Sequence, residues 1–201
     1  SAETDATKAY QALDTGALDI IAKPGLKKDE ATRLINKVRL LAGVSVITRL
    51  RNRLSGQAVP PLPVKPAARL RGYRHLVAIA CSTGGPQALA WLLPKLERNF
   101  PAPILISQHI SDGFVDGMVN WLNTLTKLPV KVAEHGEALR CGQVYISPSE
   151  SHMTITASNR IRLLPRQPDD IYHPCCNLLL ESVAATHGAD SIGLIMTGMG
   201  R

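Results

Sequence analysis

Two residues of this chain have the types and the local settings that acyl transfer needs: Ser82, in A-C-S-T-G-G-P, and His109, in S-Q-H-I-S-D-G-F. A serine hydroxyl is a weak nucleophile until a neighbouring imidazole takes its proton. Ser82 is followed by Thr83, Gly84 and Gly85, with Pro86 placed to begin a helix. A strand that turns into a helix through two glycines aims backbone N–H groups at one spot, which favours a negative oxygen. That oxygen would belong to a phosphate or to the oxyanion of an acyl-transfer intermediate. The turn lacks the G-x-G-x-x-G spacing, the P-loop lysine and the G-x-S-x-G elbow. Alone it leaves three readings open: a structural turn, an anion cradle, or an acyl site.

The flanking elements narrow the choice. Leu76 to Ala80 is a small, apolar run that reads as a buried strand, and Gln87 to Leu96 carries Leu89, Leu92, Leu93 and Leu96 at helical spacing. Pro103 to Gln108 reads as a second buried strand, with His109 directly after it. Strand, helix and strand make a right-handed parallel unit. Ser82 and His109 then share the carboxyl edge of a sheet, on neighbouring strands about 5 Å apart. Open α/β sheets place their sites at that edge. Further on, Gly113 to Thr126 reads as a helix, and Gly136 to Pro148 as a turn and a strand. His152 to Thr156 and Arg160 to Leu164 read as a hairpin around Ala157, Ser158 and Asn159. Leu178 to Ala185 reads as a helix, Ile192 to Met196 as a last buried strand, and Thr197 to Gly200 as another glycine turn at the same edge.

Four motifs in order, I-A-C-S-T-G-G-P, S-Q-H-I-S-D-G-F, G-E-A-L-R-C-G-Q-V-Y-I-S-P-S-E-S-H-M and I-G-L-I-M-T-G-M-G, resemble the catalytic domain of the chemotaxis-type protein-glutamate methylesterases. The resemblance implies a serine hydrolase that removes methyl esters from glutamate side chains on the cytoplasmic helices of chemoreceptors, and that also deamidates glutamines there. It matches Ser82 to the nucleophile, His109 to the histidine, and Met199 to a residue beside the oxyanion site; Thr83 and Gly84 fall in the oxyanion and substrate turn. It requires no cofactor for the esterase. The family's aspartate would follow immediately after Arg201, so the expectation is a catalytic domain truncated at its C-terminus and weak or inactive as it stands. The run Y-H-P-C-C-N departs from the family's H-R-P-S-x-D, with Asn177 among the departing positions.

The amino-terminal part reads differently. Residues 1–72 hold 13 Lys/Arg against 6 Asp/Glu, whereas residues 73–201 hold 10 against 10, so the entire net charge of +7 lies outside the expected catalytic domain. With one aromatic and no nucleic-acid motif, the basic part reads as solvated helix and linker rather than a nucleic-acid site. Ala2 to Leu13 is helix-compatible, Leu18 to Ala22 reads as a short strand, and Asp29 to Ala42 as a helix with Ala31, Leu34, Ile35, Val38 and Leu41 on one face. The run A-L-D-T-G-A-L-D-I-I-A-K-P resembles the end of a response-regulator receiver domain, which would make Lys23 the lysine that contacts a phosphorylated aspartate. Mg2+ and a histidine-kinase phosphodonor are implied only for an intact receiver. The expected organisation is a receiver remnant and basic helix over 1–54, a proline-rich linker over 55–72, and a catalytic domain over 73–201. The expected fold is a doubly wound, mostly parallel α/β sheet with an inserted antiparallel hairpin.

Composition agrees with a globular chain: 45% hydrophobic, 19% charged and only 4% aromatic, so Leu, Ile, Val and Ala must build the core. No apolar run reaches membrane-spanning length and the four cysteines form no framework spacing, which together point to the cytoplasm and to no membrane insertion. Cys81 is a rival nucleophile, but as the last strand residue it is expected to point into the sheet. Thr83 is expected to cap the following helix. His173, Cys175 and Cys176 suggest metal ligands at first sight, yet adjacent cysteines without a C-x-x-C pair fit a tetrahedral site poorly. They read as ordinary thiols, and His135 and His152 as structural. Two rival functions remain: a phosphate- or nucleotide-binding module built on the Ser82–Gly85 turn, and a non-catalytic interaction domain that keeps the fold.

Overall fold

The computed structural model describes residues 8–10, 12–13, 15–21, 23, 28–42, 75–167, 170 and 173–198. The linker expected at 55–72, the basic stretch before it and Met199 lie outside these residues. A continuous apolar sequence makes strand β1 (Leu76–Cys81), and its two faces are both buried. β2 (Ile104–Gln108) is buried at every position and lies parallel to β1, pairing Cys81 with Gln108. β4 (Val144–Ile146) joins β2 on its other side, and β3 (Val130–Val132) closes that end. β7 (Ser191–Ile195) joins the free side of β1, pairing Ala80 with Ile195. The five strands run parallel in the order β3-β4-β2-β1-β7.

Alternation along these strands produces two cores. Ile79, Cys81, Ile104, Ile106, Val144 and Ile146 face helices α2 (Gly85–Leu92) and α3 (Val115–Leu125), where Leu89, Met118 and Leu122 are fully buried. Leu76, Ala78, Leu105 and Tyr145 face the other way, toward Leu179 and Val183 of α4 (Cys176–His187). Met153, Ile155 and Ile161 of the hairpin β5 (Ser151–Ile155) and β6 (Ile161–Pro165) complete that second core. Strands β1, β2 and β4 are therefore covered on both sides, as in a doubly wound α/β fold. The hairpin pairs antiparallel as a two-stranded sheet of its own. Its turn passes through Asn159 at φ 58°, a left-handed position that asparagine tolerates.

Several expected boundaries move for identifiable reasons. The helix expected from Gln87 to Leu96 ends at Leu92 and tightens into a 3-10 turn over Leu93–Lys95, because Pro94 cannot continue an α-helix. β3 is only three residues long and carried no sequence signal of its own. Residues 18–21, expected as a strand, are not in one. The carbonyls of Ala17 and Leu18 instead accept hydrogen bonds from the side-chain amide of Gln87 on α2. Helix α1 (Lys28–Ala42) forms as expected, but its apolar face is open, with Ile35 and Val38 about half exposed. Tyr10 anchors the amino-terminal segment: it is fully buried, stacks on Trp121 at 5.5 Å, and donates its hydroxyl to the Phe114 carbonyl at 3.0 Å.

β7 forms one edge of the described sheet. Its burial differs from that of the other strands, since Ile192 and Ile195 are 51% and 77% exposed. Among the described residues no helix is long and apolar enough to cross a membrane.

Candidate active site

The carboxyl ends of three adjacent strands, β7, β1 and β2, meet at one place, and each delivers a turn there. Ser82 follows β1, His109 follows β2, and Thr197 and Gly198 follow β7. Backbone hydrogen bonds stitch the turns together. Ser82 N–H donates to the Thr197 carbonyl at 2.9 Å, His109 N–H to Cys81 at 3.0 Å, and Met196 N–H to Ala80 at 2.9 Å. The β1–α2 turn closes on itself through Gly85 N–H, which donates to the Ser82 carbonyl at 2.8 Å. Helices α2 and α3 pack on one face of the sheet and α4 on the other, and that reversal of winding leaves the crevice in which open α/β sheets hold their ligands.

The glycines are needed where they stand. Gly84 caps α2 at φ 76°, where a Cβ would be strained and would sit 3.2 Å from Thr197 Oγ1. Gly85 packs against Cys81 and the Gln108 side-chain oxygen so closely that no Cβ fits. No side chain caps the helix. Thr83, expected to do so, sits half-buried in the turn beside Ser82, because the tight glycine turn gives the capping position to Gly84.

His109 is half-buried, and burial first, the nearby His173 second, hold its pKa below the ordinary histidine value. It is therefore neutral near pH 7, the form able to accept a proton. Its Nε2 lies 3.4 Å from the thiol of Cys176 at the start of α4. That thiol also lies 3.3 Å from the Ser107 carbonyl, and burial pushes its pKa up. Cys176, read from sequence as an ordinary thiol, thus stands beside the candidate base; a separation of 67 positions in the chain hid it. Cys81 is 3% exposed within the core, and burial raises its pKa, which disfavours the nucleophilic thiolate.

Gln108 is a second residue that sequence reasoning passed over. It is 3% exposed, and its Nε2 donates to the carbonyls of both Ser82 and His109, each at 2.8 Å. The remaining candidates serve other partners. His152 is buried and accepts the Cys175 N–H on Nδ1 at 2.9 Å, so its Nε2 carries the proton that it donates to Asp170 at 2.7 Å. Asp170 is held below the usual carboxylate range, first by His152 and then by the Gln167 N–H. Asp112 lies 3.4 Å from Arg166 and 3.7 Å from His173. His135 Nδ1 accepts the Leu163 N–H at 3.3 Å. Among the described residues no group of three His, Cys, Asp or Glu side chains is placed to hold a metal ion. Lys23 is exposed, and Asn177 lies exposed in the first turn of α4.

A serine on a strand–helix turn, a neutral histidine after the next strand and a glycine turn after a third thus share one sheet edge, an arrangement suited to acyl transfer. Residues 77–201 match the family model of the CheB methylesterase. The chain is 45% identical, over its full length, to a protein-glutamate methylesterase/protein-glutamine glutaminase of Paramagnetospirillum magneticum, of which it covers 58%. It is 40% identical to the protein-glutamate methylesterase FrzG of Myxococcus xanthus, with 96% of this chain and 57% of that protein aligned. The crystal structure of the Thermotoga maritima CheB methylesterase catalytic domain superposes with a TM-score of 0.61 at 35% identity, covering 64% of this chain and 69% of that one. The chain belongs to the CheB methylesterase family. It spans a little over half the length of the curated relatives that it matches.

Proposed function

We propose that this chain carries the nucleophile and the base of a protein-glutamate methylesterase, with Ser82 and His109 in those roles. The observation that carries the reading is the meeting of the Ser82 turn, His109 and the Thr197–Gly198 turn at one sheet edge, in a chain of this family. His109 takes the Ser82 proton as Oγ attacks the ester carbonyl of a methylated glutamate. N–H groups of the Thr83–Gly84 turn, with the segment around Met199, support the oxyanion. The proton passes from His109 to the leaving methoxide, giving methanol and an acyl-serine. Water, deprotonated by the same imidazole, then releases the glutamate carboxylate and restores Ser82. The names of the relatives couple this activity with glutamine deamidation, and the same acyl-serine serves both, with ammonia leaving in place of methanol.

The substrate in this reading is the cytoplasmic helical region of methylated chemoreceptors, reached from the cytoplasm, and the chemistry draws on side chains and backbone alone. Regulation comes from a receiver domain of which residues 1–54 form the end, phosphorylated by a histidine kinase with Mg2+. The contacts of Tyr10 and Gln87 support this coupling, because they seat the amino-terminal segment on α2 and α3 next to the Ser82 turn. In the intact protein, acting on a methylated receptor fragment, Ser82→Ala and His109→Ala each remove nearly all methanol release, and the double variant is little worse than either. Loss of activity in Cys81→Ala with retention in Ser82→Ala would overturn the assignment.

A further inference from the structure

We infer that Gln108 is a positioning residue for the Ser82–His109 pair, fixing the nucleophile turn and the base relative to each other through one buried amide; the inference rests on the proposed roles of those two residues. Gln108 is the last residue of β2, paired with Cys81, the last of β1. Its side chain thus begins where both catalytic turns leave the sheet. A primary amide has two N–H hydrogens, and here two carbonyl oxygens meet them, those of Ser82 and His109, each at 2.8 Å. The flipped orientation would set oxygen against both carbonyls, so the chemistry fixes which end faces which. One rigid group thereby spans the backbones of nucleophile and base.

The other end of the amide shows that this is not simple space-filling. Oε1 is buried and accepts no hydrogen bond among the described residues. It packs against Gly85, where any Cβ would collide with it. A buried carbonyl oxygen left without a donor is costly. An apolar side chain of the same length would fill the space without that cost, so the two donated bonds are what the position retains. The Ser82 carbonyl is also the acceptor for Gly85 N–H, so Gln108 acts on the hydrogen bond that shapes the oxyanion turn.

Two variants test this in the intact protein. Gln108→Met keeps the length and loses both bonds, and kcat falls about 10²-fold with KM unchanged, the loss expected when a reacting group moves by about 1 Å. Gln108→Glu keeps the shape and adds a pH signature. Its carboxyl, buried against two carbonyl oxygens, has a raised pKa; protonated it donates one bond, ionised it donates none. Its kcat therefore falls as pH rises through that pKa, a limb the wild-type profile lacks. Values of kcat within threefold of wild type in both variants, or superimposable pH profiles, overturn the inference. The ring resonances and titration of His109, followed by NMR, give a reading independent of turnover. If the wild-type protein releases no methanol, the esterase reading fails while the ring signals still decide the role of Gln108. Ring signals unchanged in both variants overturn it, and should Gln108→Met not fold, the isosteric Gln108→Glu alone decides by the same two readouts.

Discussion

Gly198→Ala separates position from chemistry, since it adds one methyl group and touches no reacting atom. A Cβ at Gly198 would stand 2.7 Å from Ser82 Cβ and 3.3 Å from Ser82 N. Carbon atoms rest at about 3.5–4.0 Å, so the Ser82 turn or the Thr197–Gly198 turn must yield by about 1 Å. Ser82 cannot swing away freely, because its N–H is bonded to the Thr197 carbonyl next to the added methyl. A displacement of that size costs about 10²-fold in rate, or about 2.7 kcal/mol in the barrier at 1.36 kcal/mol per decade. The matched control is Gly193→Ala in β7, whose Cβ would meet Leu180 Cδ2 at an ordinary 3.8 Å. Methanol release from a methylated receptor fragment, with a thermal melt on each protein, reads both effects. The expected result is a Gly198→Ala protein that melts within a few degrees of wild type and turns over about a hundredfold more slowly, beside a Gly193→Ala protein with normal rates. Normal turnover in Gly198→Ala would refute the packing of these two turns.

The base and the amino-terminal docking can be checked as directly. Burial and His173 lower the His109 pKa from its ordinary 6.5, so the acid limb of kcat/KM should have its midpoint below pH 6.5; a midpoint at or above that value contradicts the buried setting. The same depression bears on stability. The unfolded chain takes up a proton at His109 near pH 6.5 and the folded one only at lower pH, so stability is full above 6.5 and declines as pH falls toward the folded value. Tyr10→Phe removes one hydrogen bond to Phe114 and should cost about 1 kcal/mol in urea unfolding, and Tyr10→Ala, emptying a buried site against Trp121, about 3–5 kcal/mol. A loss under 1 kcal/mol in Tyr10→Ala would show that the segment is not seated on α3.

What could be read from sequence followed from period and punctuation. The run Leu76–Ala80 is apolar throughout and Pro103–Gln108 is apolar up to Ser107, so their strands, their parallel pairing and the shared edge of Ser82 and His109 were all accessible. The hairpin was legible from alternation on either side of Ala157-Ser158-Asn159. What escaped depends on contacts across the chain. β3 is a strand because Val130–Val132 finds β4, and its three residues carry no pattern alone. Residues 18–21 are not in a strand, and where the segment enters them the carbonyls of Ala17 and Leu18 are taken by the Gln87 side-chain amide. Cys176 reaches His109 only because α4 begins at the same edge as β2 ends, and Gln108, legible as the end of a strand, has a role set by two carbonyls that only the folded turns bring to its amide.

β7 ties an open sheet edge to the chemistry of the site. The strand reads S-I-G-L-I, with no lysine, proline or inward charge of the kind that blunts sheet edges, and its isoleucines stand in water. Such an edge is a template for another strand. The turn that follows is Thr197–Gly198, whose carbonyl holds the Ser82 N–H. A strand paired on that edge would therefore lie beside the turn that holds the nucleophile's N–H.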